Sequence, residues 1–249
     1  MRNPENFEPQ LEPEPEPQPE LESETAIDEE ETKTESSLTE KRFKEIRQEV
    51  DQMTDRLGYS IDPEIKGTVV ALNAWELPTS ASCEGHMDHG IPVPWVDIKA
   101  PNEPRERFEG DIKLSEEIAK KYNISPEDVR RYIHPEAYIE WVKKSTEEET
   151  PEYKEWNLQN KKLRQRAKKS LDEFYKEREE IGEKDRLSIR DWYNGFRICN
   201  KGEGCKSVPK NLSEQEKEIL GERLNIHQKE MQEFASFLKK NYVNYASGK

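Results

Sequence analysis

"RLSIRDWYNGFRICN", residues 186–200, decides the fold class. Leu187 and Ile189 alternate with polar residues on one side of it, and Phe196 and Ile198 do the same on the other. A period of two puts every second side chain on one face of a strand. Asn194-Gly195 between the halves is a strong two-residue hairpin signal, because both residues tolerate positive φ. A β-hairpin therefore interrupts a chain whose remaining patterning is mostly helical, and the expectation is an α+β fold.

Upstream, a second pair of strands brackets "TSASCEGHMDHG", residues 79–90. The first strand candidate is Thr79 to Ser82. The second is "PWVDIKA", where Val96 and Ile98 alternate with Trp95 and Asp97. Pro92 and Pro94 lack the amide hydrogen a ladder needs, so this strand begins no earlier than about Pro94. The two hairpins are expected to share one small antiparallel sheet, with helices covering one face.

The helices are read from caps and stripes. Ser37 and Glu40 stand at capping-box spacing before Leu38, Phe43, Ile46, Val50, Met53 and Leu57, a stripe that ends near Gly58. Asp62-Pro63 is an N-cap acid followed by a first-turn proline; Ile65, Val69 and Leu72 follow it. Residues 111–181 read as helical throughout, with starts at Ser115, Ser125-Pro126, Pro135 and Thr150-Pro151, and form a candidate helical insertion between the hairpins. Ser213 and Glu216 cap a last helix with the seam Leu220, Leu224, His227, Met231, Phe234, Leu238 and Tyr242. The domain reading is a single α+β domain over 37–249 behind a disordered acidic tail, 1–36.

The tail follows from charge. The chain has 249 residues and a formal charge of −14, yet residues 1–40 hold 14 Asp/Glu against 2 Lys/Arg. The remainder is close to neutral, which argues against a general polyanion binder. "EPQLEPEPEPQPELESE", residues 8–24, alternates proline with glutamate and has nothing to bury. It reads as a solubilising or interaction tail. The N-terminus has no apolar core of a signal peptide, and no stretch approaches the ~20 apolar residues of a membrane span. A soluble, cytoplasmic protein with no membrane partner is expected.

Of 3 Cys and 4 His, the 79–90 loop holds Cys83, His86 and His89. Gly85 lies between thiol and imidazole, and a glycine there permits the tight turn that aims both into one space. Three chemistries fit: a shared metal, a thiol activated by the imidazole, or an anion held by turn amides with the hydroxyls of Thr79, Ser80 and Ser82. A plain structural turn fits as well. A second cluster, "CNKGEGC", places Cys199 and Cys205 after the other hairpin. If the hairpins pair, Cys83, His86, Cys199 and Cys205 could form a Cys₃His zinc site. "KKLRQRAKK", residues 161–169, is either a solvated helix face or a phosphate contact.

Two resemblances bear on the loop. Thr79-x-x-Ser82-Cys83-x-Gly85-His86, preceded by Leu72-Asn73 and followed by a strand with Trp95, resembles a motif of uncharacterised bacterial and phage proteins. More distantly, Ser60-Ile61-Asp62 and Thr79–His86 are similar to the wybutosine-synthesis protein 3 family of tRNA methyltransferases. That family carries Ser-x-Asp and Thr-Thr-Ser-Ser-Cys-Ser-Gly-Arg and uses S-adenosylmethionine. Here His86 replaces the arginine and Glu84 a serine. The resemblance implies a nucleotide-like or RNA-derived ligand and, by extension, that cofactor. The site expected from the sequence has Cys83 and His86 as reacting groups and Thr79, Ser82, Gly85, His89 and Trp95 as ligand contacts. The alternative is a non-enzymatic interaction protein, zinc-stabilised or helical.

Overall fold

The computed structural model describes residues 40–54, 58–131, 133–202, 212–242 and 246. The acidic tail and Cys205 lie outside the described residues. A helix over 40–51 (α1) leads to α2 (Pro63–Ala74), β1 (Thr79–Cys83) and β2 (Trp95–Ile98). Then come α3 (Asp111–Tyr122), α4 (Pro126–Val129), α5 (Pro135–Lys144) and α6 (Pro151–Phe174). β3 (Leu187–Trp192), β4 (Gly195–Asn200) and α7 (Glu214–Lys240) complete the order. The fold is α+β. The two hairpins join through β2 and β4 into one four-stranded antiparallel sheet, ordered β1-β2-β4-β3.

The period-two pattern sorts the sheet's faces. Val96, Ile98, Phe196, Ile198 and Leu187 are buried on one face against α1, α2, α7 and the end of α6, which contribute Val50, Leu72, Phe234, Leu238, Leu171 and Phe174 among others. Polar ties hold α2 to α7: the Thr68 hydroxyl donates to Met231 O at 3.3 Å and the Trp75 indole to Leu238 O at 2.8 Å.

The opposite face carries a buried charge. Arg197 donates to both carboxylate oxygens of Asp97, at 2.6 and 2.9 Å, and its guanidinium lies 3.7 Å from the ring centroids of both Trp95 and Trp192. A planar cation, stacked twice and paired in a fork, is the form in which an arginine withstands burial.

The 111–181 stretch is not uniform. α3, α4 and α5 close on their own small cluster of Ile118, Ala119, Val129 and Ala137. α6 instead belongs to the main body, where it buries Ala167, Leu171 and Phe174, and Asn160 accepts a hydrogen bond from Ala100 N at 2.7 Å.

Several boundaries differ from the expectation. α1 ends at residue 51, and Thr54 pairs with Ser60 in an isolated bridge, so Met53 is outside the helix. α3 starts at Asp111 rather than at Ser115, which is buried inside it. Asp111 is committed to tertiary partners, accepting from Arg130 and the Trp141 indole. The hairpin turn is Tyr193-Asn194, because Gly195 already pairs with Trp192. Tyr193 takes the positive φ, at 46°. Gly195 serves close approach instead: a Cβ there would stand 2.8 Å from Lys99 Cβ and collide with Ile98 O.

Candidate functional site

β1 is an edge strand, and a cleft of about 790 Å³ runs along it. One wall is Thr79, Ser80, Ala81 and Ser82; the other is Met53, Thr54 and Tyr59 through Pro63; His86 and His89 line it too. The volume lies in the range of small-molecule sites. A groove of about 690 Å³ between α1, α2 and α7 has Phe43, Val70 and Ala71 within a rim of Lys41, Lys44 and Lys239, and carries no Cys or His.

The 84–91 loop is seated from beneath. Gly85 has φ +85°, and a Cβ there would meet Leu224 Cδ1 at 2.7 Å and the backbone N and C of Val93 at 2.9 Å. The Gln228 amide donates to Glu84 O at 3.0 Å, and His86 N donates to Ile91 O at 3.3 Å. Glycine is thus required at 85 both for its conformation and for the approach of α7 and the β2 entry.

Loop and helix exchange capping partners. Asp62 is the N-cap of α2, but its side chain makes no capping bond to its own helix. Its Oδ2 accepts instead from Glu84 N at 3.1 Å. The Glu84 carboxylate returns the contact by accepting from Glu64 N, in the first turn of α2, at 3.0 Å. The orphan amide of the helix is satisfied from the loop, and Asp62 is turned toward the motif.

The result is a mixed ligand set. One side-chain donor atom each from Asp62, Cys83 and His86 lies within 4.8 Å of the other two, and all three residues are half-buried. His86 Nε2 is 3.4 Å from Asp62 Oδ2. Gly85 N donates to Cys83 Sγ at 3.4 Å. Burial pushes the Cys83 thiol above its ordinary value; the Gly85 amide opposes this, and the Asp62 and Glu84 carboxylates add to it. A second group, His86, Asp88 and His89, is more exposed. The His86 and His89 rings stack with centroids 4.1 Å apart. Asp88 is held below the usual carboxylate range by its bond to His89.

The other expected site residues divide clearly. Thr79, Ser82, His86 and His89 line the cleft; Gly85 is packed under the loop, and Trp95 stacks on Arg197. The Thr79 hydroxyl accepts from the Asn73 amide at 2.9 Å. Cys199 is buried two strands away from Cys83, in the same cross-strand row with Trp95 between them. Two strand spacings are roughly 10 Å, and among the described residues Cys199 joins no metal-ligating group. Half of the basic run of α6 is paired within the chain, Arg164 with Asp191, Arg166 with Glu76 and Lys168 with Asp172, while Lys161, Lys162 and Lys169 are exposed.

Asp62 is the site residue that motif reading misses. It scans as a helix cap, and its only other sequence signal is its place in Ser60-Ile61-Asp62. Among the described residues no helix is long and apolar enough to cross a membrane. Comparison with protein-family models, with curated proteins and with solved structures finds no match.

Proposed function

We propose that the β1-edge cleft binds, and through His86 and its neighbours modifies, a nucleotide-like or RNA-derived ligand. The observation that carries this reading is a convergence. Ser60-Ile61-Asp62 and Thr79–His86, the two stretches similar to the tRNA methyltransferase family, are separated by all of α2, yet both contribute to the walls of one cleft. The lining suits such a ligand: hydroxyls of Ser60, Thr79, Ser80 and Ser82 for its polar edges, Tyr59 and two imidazoles for a flat ring. Among the described residues the lining offers no lysine or arginine, and its hydroxyls and rings suit a base and a sugar. The chemistry assigned to Cys83 changes accordingly. A half-buried thiol beside two carboxylates is a poor free nucleophile, so His86 is the better candidate for proton transfer.

The test is mass spectrometry of small molecules released from the purified full-length chain, followed by calorimetric titration with nucleosides, nucleotides and S-adenosylmethionine. One ligand per chain is expected. Ser82→Ala should weaken it about tenfold, equivalent to ~1.4 kcal/mol, and Tyr193→Ala, at a remote exposed turn, should leave it unchanged. No released molecule and no binding by any member of the panel would refute the reading.

A further inference from the structure

The geometry points to a divalent-cation site of zinc type, formed by Asp62, Cys83 and His86 at the inner end of the β1-edge cleft with one coordination position open to it. The proposal rests on reading that cleft as the working site, and it adds a cofactor class that the motif alone leaves undecided. Three observations carry it.

The first is spacing. Zinc holds sulfur at ≈ 2.3 Å and nitrogen or oxygen at ≈ 2.0–2.2 Å in a tetrahedron, so its ligand atoms stand roughly 3.3–3.8 Å apart. The Asp62–His86 edge, at 3.4 Å, already has this length. The three atoms all fall within 4.8 Å, so side-chain shifts of about 1 Å complete the triangle without moving the backbone.

The second is composition. One thiol, one imidazole and one carboxylate form a borderline-soft set that suits zinc and its neighbours rather than calcium or magnesium. Three protein ligands with a fourth place facing a cleft is the pattern of zinc sites that bind water or substrate, whereas structural sites are closed by four. His86 lines the cleft while Cys83 does not, which places the opening on the cleft side.

The third is the surroundings of each ligand. Asp62 is relieved of capping its own helix and oriented by the Glu84 amide. The Cys83 sulfur is oriented by the Gly85 amide, which donates to it at 3.4 Å. Outer contacts of this kind fix first ligands in metal sites. Among the described residues no lysine or arginine forms an ion pair with Asp62, and Arg197, the cation that acts on Cys83, is already paired with Asp97. The His86–Asp88–His89 group shares the same imidazole but is more exposed and has no thiol, so it is the weaker competitor.

Cobalt(II) titration of the metal-stripped full chain tests the assignment, because a thiolate–cobalt charge-transfer band reports sulfur ligation directly. One equivalent is expected, with that band and tetrahedral d–d bands. Cys83→Ser should abolish the charge-transfer band, with circular dichroism confirming that the variant is folded. Asp62→Asn and His86→Ala should each weaken the metal about tenfold or more, since disturbing even a neighbour of a ligand costs 10- to 100-fold. The Cys199→Ser/Cys205→Ser double variant and His89→Ala should keep the band. No stoichiometric binding at micromolar cobalt, a band that survives Cys83→Ser, or a band lost in the double variant would each overturn the proposal. Ser82→Ala separates this inference from the ligand reading: it should keep the band whether or not any nucleotide binds.

Discussion

Gly85→Ala is the sharpest perturbation of the loop, and its cost can be worked from two contributions. At φ +85° an alanine pays about 1–2 kcal/mol for the left-handed region. Its Cβ would also sit 2.7 Å from Leu224 Cδ1 and 2.9 Å from the Val93 backbone. The leucine methyl can rotate aside. The Val93 backbone, at the entry to β2, cannot move without disturbing a strand paired on both sides. Overpacking of this kind costs about 1–3 kcal/mol, so the sum is about 2–5 kcal/mol. Gly90→Ala supplies the control. It has φ +68° and nothing within 4 Å of the added carbon, so it pays only the conformational part. In urea titrations with a slope of about 2–3 kcal/mol per molar, Gly85→Ala should lower the midpoint by about 1–2 M, and Gly90→Ala by about half as much. Equal midpoints for the two variants would mean that the loop is not seated on Leu224 and Val93, and the cluster it aims would lose its support.

Two further outcomes follow from buried charge. The His227 ring is buried, its Nε2 is 3.1 Å from Asp185 Oδ1, and burial lowers its basicity while the Asp185 bond partly opposes this. With the folded value below the unfolded ~6.5, the unfolded chain binds more protons beneath that pH. Stability should therefore fall on acidification below about pH 6.5 by up to ~1.4 kcal/mol per unit from this group; the slope should shrink in His227→Gln, and an unchanged urea-midpoint profile would contradict the assignment. Arg197→Ala leaves Asp97 unpaired and two indoles unstacked, for an expected loss of about 3–5 kcal/mol. Arg197→Ala with Asp97→Ala should cost less than the two single losses added, and strict additivity in the double-mutant cycle would deny the coupling.

The fold was legible where one local signal dominates. Alternation in 187–200 and in 95–98 placed strands correctly, because the aliphatic and phenyl side chains fall on the face packed against the helices, although both faces of β4 are buried. Thr150 and Ser213 cap their helices as their spacing implies, accepting from Tyr153 N and Glu216 N. Reading failed where a residue's role is set by distant partners. Ser115 scans as a cap but lies within α3, because Asp111 starts the helix and is held by Arg130 and Trp141. Gly195 scans as a turn residue, whereas its lack of a side chain lets β4 pass the end of β2. The candidate site follows the same rule. Composition alone located the loop, because so few Cys and His are spread over so long a chain. Asp62 could not be added, since nothing local says that a helix cap will yield its own helix to a loop some twenty residues on.

That exchange explains why Asp62, Cys83 and His86 lie together. A helix start needs an acceptor for its first amides, and a strand-to-strand loop needs donors and acceptors for its own backbone. If Asp62 capped α2 in the ordinary way, Glu84 N would lose its acceptor, and the Asp62 carboxylate would face the helix instead of the thiol and imidazole. With Glu84 Oε2 on Glu64 N and Asp62 Oδ2 on Glu84 N, each segment completes the other. α7 then clamps both partners through Gln228 to Glu84 O and Gln232 to Glu64 Oε2. Position and chemistry are therefore coupled: the carboxylate that completes the Cys83–His86 cluster is available because a loop residue has taken over its structural duty. Glu84→Ala separates the two roles. It removes the substitute cap while leaving Asp62, Cys83 and His86 in place, so the unsatisfied Glu64 amide competes with the amide of residue 84 for the Asp62 carboxylate. Cobalt affinity should then drop with all three ligands still present in the chain.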